Sequence, residues 1–346
     1  MSLRLLLVSL LLGNINPTNL GDDIVTLRIP LFRSVYFVGN QFGWIASHRN
    51  MFDTRNGGQT WRRNAIALAS EPSTSVRPAD LNVGMILWGD KENVLMWGNG
   101  ELVVGSAESS TWDRRAFPAV GSTFMTAIGF SSFHHGYALD SSGSVYRTGD
   151  AGKSWALSGH LPATRVRSLY TFSAQEIWAV GKDASVLFSS DRGEHWEGQT
   201  LRSAESKYGT LATIECVRFI SAKEGWLCGT DGLVFHTIDG GRRWERQQTP
   251  FSSGSILQAI SFVSPTEGWV VGSKYSLNGS GSERYEAIVL HTIDGGLHWE
   301  PVNTKIQDTL LAVQALSNGR AWAVGANGTV LQISDHGRRW TQVNLG

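Results

Sequence analysis

Residues 214 to 248 alternate apolar and polar positions in short bursts, each broken by turn chemistry, a period-2 pattern that predicts strands rather than helices. IECVRFI (214 to 220) is the first burst, SAKE turns the chain, and GWLCG (225 to 229) is the second. TDG turns it again before LVFHT (233 to 237), and WERQQ follows an Asp-containing turn. Four short strands are therefore expected in about 40 to 50 residues, the length of one blade of a β-propeller.

The turn before the last burst, TIDGGRRW (237 to 244), has relatives along the chain. TRNGGQTW (54 to 61), TGDAGKSW (148 to 155), SSDRGEHW (189 to 196), TIDGGLHW (292 to 299) and ISDHGRRW (333 to 340) share its frame, and GSAESSTW (105 to 112) is a worn copy. Each intact octet sets Asp or Asn five residues before Trp and Gly three before it: Asn56 and Trp61, Asp150 and Trp155, Asp191 and Trp196, Asp239 and Trp244, Asp294 and Trp299, Asp335 and Trp340. The carboxylate or amide can accept from turn N–H groups, the Gly can take positive φ, and the Trp can re-enter a strand with its ring buried. A second aromatic, at Tyr137, Trp178, Trp226 and Trp322, stands eighteen residues ahead of its octet Trp. Trp44 and Trp97 are assigned to the same position at slightly shorter offsets, and Trp269 at a longer one because residues 273 to 284 are an insertion. Thirteen of the fourteen tryptophans thus find a place, Trp88 being the exception. The expectation is an all-β fold, a seven-bladed β-propeller with Trp rings filling the spaces between blades.

Composition changes this picture little. The 346 residues suit one seven-bladed domain, and 39 glycines suit its turns. Equal numbers of basic and acidic residues, 30 each, give no global field that would recruit nucleic acid or anionic lipid. Arg4 followed by an apolar run from Leu5 to Leu12 reads as a short secretory signal, although a small-x-small cleavage site is missing and the leucines also suit a buried element. Residues 1–21 are accordingly set apart as a signal peptide or extension and 22–346 as the propeller. An exported or periplasmic location is expected, with a cytoplasmic one as the alternative. Cys216 and Cys228 fall in consecutive strands where a disulfide is conceivable and buried free thiols are favoured. Neither has a His at ligand spacing, so no metal ligand, cofactor site or catalytic thiol is assigned.

Since strands alternate direction, the connections 62 to 85 and 197 to 214 and the 273 to 284 insertion should share one face, opposite the octets. The octet carboxylates recur once per blade, too far apart for acid–base chemistry that needs two within about 5 to 10 Å, and are assigned to holding turns. Basic residues beside the octets, such as Arg242 and Arg243, are interleaved with Glu194, Glu197, Glu245 and Glu300 and read as a solvated rim. Arg77, Arg165, Arg167, Arg202 and Lys207 lie in or beside the long connections.

The octets resemble Asp-box, or BNR, repeats. Together with upstream segments such as EGWLCGTDGLVFHT and AWAVGANGTVLQIS, they make residues 31 to 346 similar to the photosystem II stability and assembly factor family. That resemblance implies a non-catalytic, protein-binding scaffold that assists assembly or stability of a larger, membrane-associated complex. It also implies an arginine-bearing surface that engages a protein client, for which Arg77, Arg165, Arg167, Arg202 and Lys207 are the candidates. A monomer is expected, with no nucleic-acid partner and no small-molecule substrate. The competing class is an Asp-box glycoside hydrolase, sialidase-like or xyloglucanase-like. Arg28-Ile29-Pro30 matches the sialidase Arg-Ile-Pro motif, but two further arginines, a Tyr with a Glu partner and an Asp acid/base cannot be placed by motif.

Overall fold

The computed structural model describes residues 31–345 apart from 48–49, 66–84, 91–92, 99–100, 107–111, 118–123, 162–165, 202–203, 205–210 and 278–282. The signal-like residues 1–21 and Arg28-Ile29-Pro30 lie outside the described residues. Within them, seven antiparallel sheets of four consecutive strands each form the blades of a propeller. Blade 5 consists of Ile214–Phe219, Gly225–Gly229, Val234–Thr237 and Glu245–Gln247, within two residues of the spans expected from its alternation.

The inner strands of the blades, in order, are Phe32–Val38, Met85–Gly89, Met125–Phe130, Val166–Thr171, Ile214–Phe219, Ser255–Phe262 and Leu310–Leu316. Each touches the inner strand of the next blade, and the seventh touches the first, so the ring closes around a channel. Every described blade is built from its own strands, so closure rests on packing and hydrogen bonds between blades rather than on strand exchange. Trp322 and Val324 of blade 7 share a buried cluster with Phe37 and Ile45 of blade 1. The Gln314 amide donates to the Phe37 carbonyl at 2.9 Å and accepts from the Phe37 N–H. Comparable stitches recur elsewhere: the Tyr170 hydroxyl donates to the Phe219 carbonyl at 2.9 Å, and Ser261 Oγ accepts from the Ala315 N–H at 3.1 Å.

Tryptophans fill the seams as expected. Trp226, Trp269 and Trp322 in the second strands are wholly buried. At the seam between blades 4 and 5, Trp178 stacks on Phe219 at 4.8 Å, and Trp244 of the octet meets both rings edge-on. Burying rings of this size removes a large apolar area from water at each seam.

Five octets build one hydrogen-bond pattern, seen in blade 5. The Thr237 hydroxyl donates to Asp239 Oδ1 at 2.9 Å and accepts from the Gly241 N–H at 2.9 Å, while Asp239 Oδ1 also accepts from the Arg243 N–H at 2.9 Å. Asn56 does the same with its amide oxygen, which accepts from the Thr54 hydroxyl and the Thr60 N–H.

Three readings require correction. Register places Leu95, not Trp97, at the position that Trp226 occupies in blade 5, because Val94 pairs with Gly105 as Gly225 pairs with Thr237. The shorter offset of Trp97 from Trp112 was the sign of this. The 273 to 284 insertion, grouped above with the long connections, is not a loop of their kind: Lys274 pairs with Glu286 and Leu277 with Glu283, so much of it prolongs the second and third strands of blade 6. The seventh octet is not held by its carboxylate. Ile333 supplies no hydroxyl, Asp335 takes a φ of 53°, and its side chain accepts no hydrogen bond among the described residues. The turn is closed instead by main-chain bonds from Gly337 to Ser334 and from Arg338 to Asp335. In the worn second octet residues 107–111 lie outside the described residues, while Trp112 is buried beside Trp44.

Candidate functional site

The inner strands carry an irregularity that repeats in all seven blades. Pairing with the second strand slips by one residue near the start of each inner strand, leaving Arg33, Leu87, Thr126, Arg167, Glu215, Gln258 and Leu311 as bulged residues. A bulge releases its side chain from the alternation that buries its neighbours. In blade 1 the exposed Arg33 stands between buried Phe32 and Ser34, and in blade 5 Glu215 is half-buried between buried Ile214 and Cys216. Because these strands line the channel, the seven bulges form a ring at its mouth, on the face of the long connections. The octet turns occupy the opposite face.

The mouth is polar and carries unequal charge. Arg33 and Arg167 stand on blades 1 and 4, each exposed and without a salt bridge among the described residues. Surrounding protein lowers the pKa of Arg33 by desolvation. Glu215, on the blade next to Arg167, has its pKa raised by burial, and the charges of Arg167 and Lys182 only partly offset that shift. Two arginines against one carboxylate that burial makes reluctant to ionise favour an anionic or carboxylate-bearing ligand over a cationic one.

About 10 Å deeper, three residues along each strand, Tyr36, Tyr170, Arg218, Ser261 and Gln314 occupy equivalent positions. Most of these are already engaged. Tyr170 and Gln314 hold neighbouring blades as described above, and the Arg218 guanidinium lies 5.3 Å from the Tyr170 ring centroid. Much of the deeper level braces the channel, whereas Arg33 and Arg167 at the mouth make no salt bridge among the described residues.

Of the five basic residues selected from the sequence, Arg77, Arg165, Arg202 and Lys207 lie outside the described residues. Arg167 is the bulged residue of blade 4. Arg33 escaped the sequence reading because nothing in LFRSVYFV marks a bulge. The octet carboxylates each serve their own turn. Hydrogen bonds from Ser154 hold Asp150 down to about 2, and those from the His195 main chain and ring hold Asp191 at about 2. For Asp294 burial acts in the opposite sense, and bonds from His298 still bring it to about 2. Cys216 and Cys228 pair in register as buried free thiols, with the Cys228 Sγ donating to the Leu257 carbonyl at 3.4 Å.

This architecture has solved counterparts. A structure described as YCF48 bound to D1 peptide superposes with a TM-score of 0.65 at 17% identity, covering 88% of this chain and 92% of that one. YCF48 from Cyanidioschyzon merolae gives 0.64 at 16%, covering 89% and 97%. The GH74 xyloglucanase from Xanthomonas campestris gives 0.60 at 12%, and this chain covers 54% of its length while 90% of this chain is matched. At these identities the likeness shows the propeller fold. No curated protein matches the sequence. The family model described as Photosynthesis system II assembly factor YCF48 matches residues 104–205 and 205–344, well over half of the sequence. The chain belongs to the photosynthesis system II assembly factor YCF48 family.

Proposed function

We propose that this propeller is a non-catalytic scaffold that binds a segment of a client protein at the channel mouth, on the face of the long connections. The observation that carries this reading is the ring of seven bulged residues, which presents Arg33 and Arg167 without salt-bridge partners among the described residues, while much of the rest of the inner strands packs between blades. A solved relative is described with a D1 peptide bound, which supports a peptide segment of a membrane-complex subunit as the client. Acidic side chains or a terminal carboxylate on that segment would pair with the two guanidinium groups.

A hydrolase reading draws on the same fold, but chemistry of that kind needs two carboxylates within about 5 to 10 Å. The seven inner strands carry one carboxylate, Glu215, among the described residues. That favours binding over glycoside cleavage.

The test is affinity purification of tagged protein from the native organism, comparing wild type with the double charge reversal R33E/R167E. Loss of a specific co-eluting protein at moderate salt, with the fold retained, is the expected result. Retention of every co-eluting protein by the double variant would reject the mouth as the binding surface. Release of sugar from xyloglucan or a sialoside by the purified chain would reject the scaffold.

A further inference from the structure

On the octet face, at the seam between blades 6 and 7, Glu267, His291 and His336 bring one carboxylate and two imidazoles together. Their ligand atoms all lie within 4.8 Å of one another. Glu267 Oε1 is 3.3 Å from His291 Nε2 and 2.7 Å from His336 Nδ1. Tetrahedral ligation at about 2.1 Å places ligand atoms about 3.4 Å apart, so shifts of under about 1.5 Å would seat an ion among the three.

Comparison with the preceding seam separates what belongs to the repeat from what does not. The Glu–His pair is a repeat feature: in blade 5, Glu224 Oε1 lies 3.2 Å from His236 Nε2. Each imidazole stacks on the second-strand Trp of its blade, His236 on Trp226 at 4.5 Å and His291 on Trp269 at 4.0 Å, which fixes the ring plane. What differs is the residue supplied by the next blade. The fourth octet residue of the next blade reaches the Trp on which this imidazole stacks, as the Gly295 carbonyl shows by accepting from Trp226 Nε1 at 3.1 Å. At the 6/7 seam that position is His336, with a φ of 49° in a place where Gly57, Gly240 and Gly295 stand in other octets. The departure of the seventh octet thus adds a third ligand where a glycine would leave two.

The surroundings suit an ion with an open position. His291 is buried, Glu267 half-buried and His336 exposed, and a cavity of about 470 Å³ is lined by His291 and His336 together with His298 and Glu300. Three protein ligands of the His₂Glu type with a fourth position facing a cavity match zinc better than calcium or magnesium, which take oxygen ligands.

We infer that Glu267, His291 and His336 form a binding site for a divalent transition-metal ion, zinc by preference, clamping blade 6 to blade 7. Imidazole and carboxylate ligate through lone pairs, so binding displaces the protons that otherwise bridge the three groups.

The full chain, stripped with a chelator and dialysed, should be titrated with Zn²⁺ in competition with a chromophoric chelator. One ion per chain with a dissociation constant in the micromolar range or tighter is expected, with a higher melting temperature in zinc. H336G, which restores the residue found in other octets, should weaken binding by about 100-fold or more, as loss of one of three ligands does. H336N removes the imidazole while tolerating positive φ, and gives the reading if H336G alters the turn. E224Q, at the seam with only two ligands, should leave the stoichiometry and affinity unchanged. Absence of zinc uptake at about 100 μM, or wild-type affinity in both His336 variants, would overturn the assignment.

Discussion

Replacement of Gly241 by alanine tests how the octets hold the ring together. Gly241 is buried with a φ of +77°, and a Cβ added there would lie 2.1 Å from the Trp178 ring of the preceding blade. Carbon atoms need about 3.5 Å, so one partner must move by more than an ångström. Trp178 has no room to do so, being stacked on Phe219 at 4.8 Å and packed against Phe188 at 4.4 Å. Positive φ costs a non-glycine residue about 1 to 2 kcal/mol, and wedging apart a packed seam costs about 1 to 3 kcal/mol more. G241A should therefore lose about 2 to 5 kcal/mol. Gly39, with a φ of +59° and nothing within 4 Å of its added Cβ, supplies the control, because G39A suffers the backbone term alone. Urea unfolding of the two variants and wild type, read from midpoints at common slope, gives the difference. Equal midpoints for G241A and G39A would refute the claim that the octet glycine is required by contact with the neighbouring blade.

Two further perturbations test other parts of the fold. Asp150, Asp191 and Asp294 have folded pKa values of about 2 against an ordinary 3.8, so their contribution is complete above about pH 4 and is lost as pH falls through about 2. Substituting all three with asparagine, which holds the first octet at Asn56, should keep the turns and flatten stability over that acid window; an unchanged acid limb would contradict the assignment. Q314L leaves the Phe37 N–H and carbonyl without their partner and should cost about 1 to 3 kcal/mol. Hydrogen exchange at the Phe37 amide should accelerate, and an unaltered exchange rate would show that Gln314 does not close the ring.

The fold was legible because each blade repeats its instructions. Alternation set the strands, and Asp, Gly and Trp at fixed offsets set the turns. Even the substitution of Asn56 for aspartate was readable, since an amide oxygen accepts as a carboxylate oxygen does. Other features were hidden for identifiable reasons. Trp97 resembles the repeat Trp in type, but only strand register shows that Leu95 fills the place. Arg33 lies in a strand whose bulge leaves no mark on a single segment; aligning all seven inner strands would have exposed the slipped position. Glu267, His291 and His336 are spread over seventy residues of sequence and meet only because adjacent blades pack. Ile333 at the head of the seventh octet was a visible departure, and its consequence, a turn without a carboxylate clasp, follows from the missing hydroxyl.

The repeat also separates positions that the fold dictates from positions it leaves free. Two residues beyond the bulge the seven blades carry Val35, Gly89, Ile128, Leu169, Val217, Ile260 and Val313, all buried, because that position packs between sheets. The bulge itself holds Arg, Leu, Thr, Arg, Glu, Gln and Leu in the same geometry, so packing does not choose its chemistry. The fourth octet position also varies in chemistry, with Gly57, Ala151, Arg192, Gly240, Gly295 and His336 sharing positive φ, and where it is exposed, as at His336, its side chain is not chosen by the core. Freedom from packing lets a position serve a ligand at little cost to the scaffold. The two free positions lie on opposite faces, and the channel mouth and the 6/7 seam share no residue. Their functions should consequently be separable: R33E/R167E should lose the client and still bind zinc, whereas H336G should lose zinc and still bring down the client. Loss of both properties in either variant would mean that the two faces are energetically coupled through the ring.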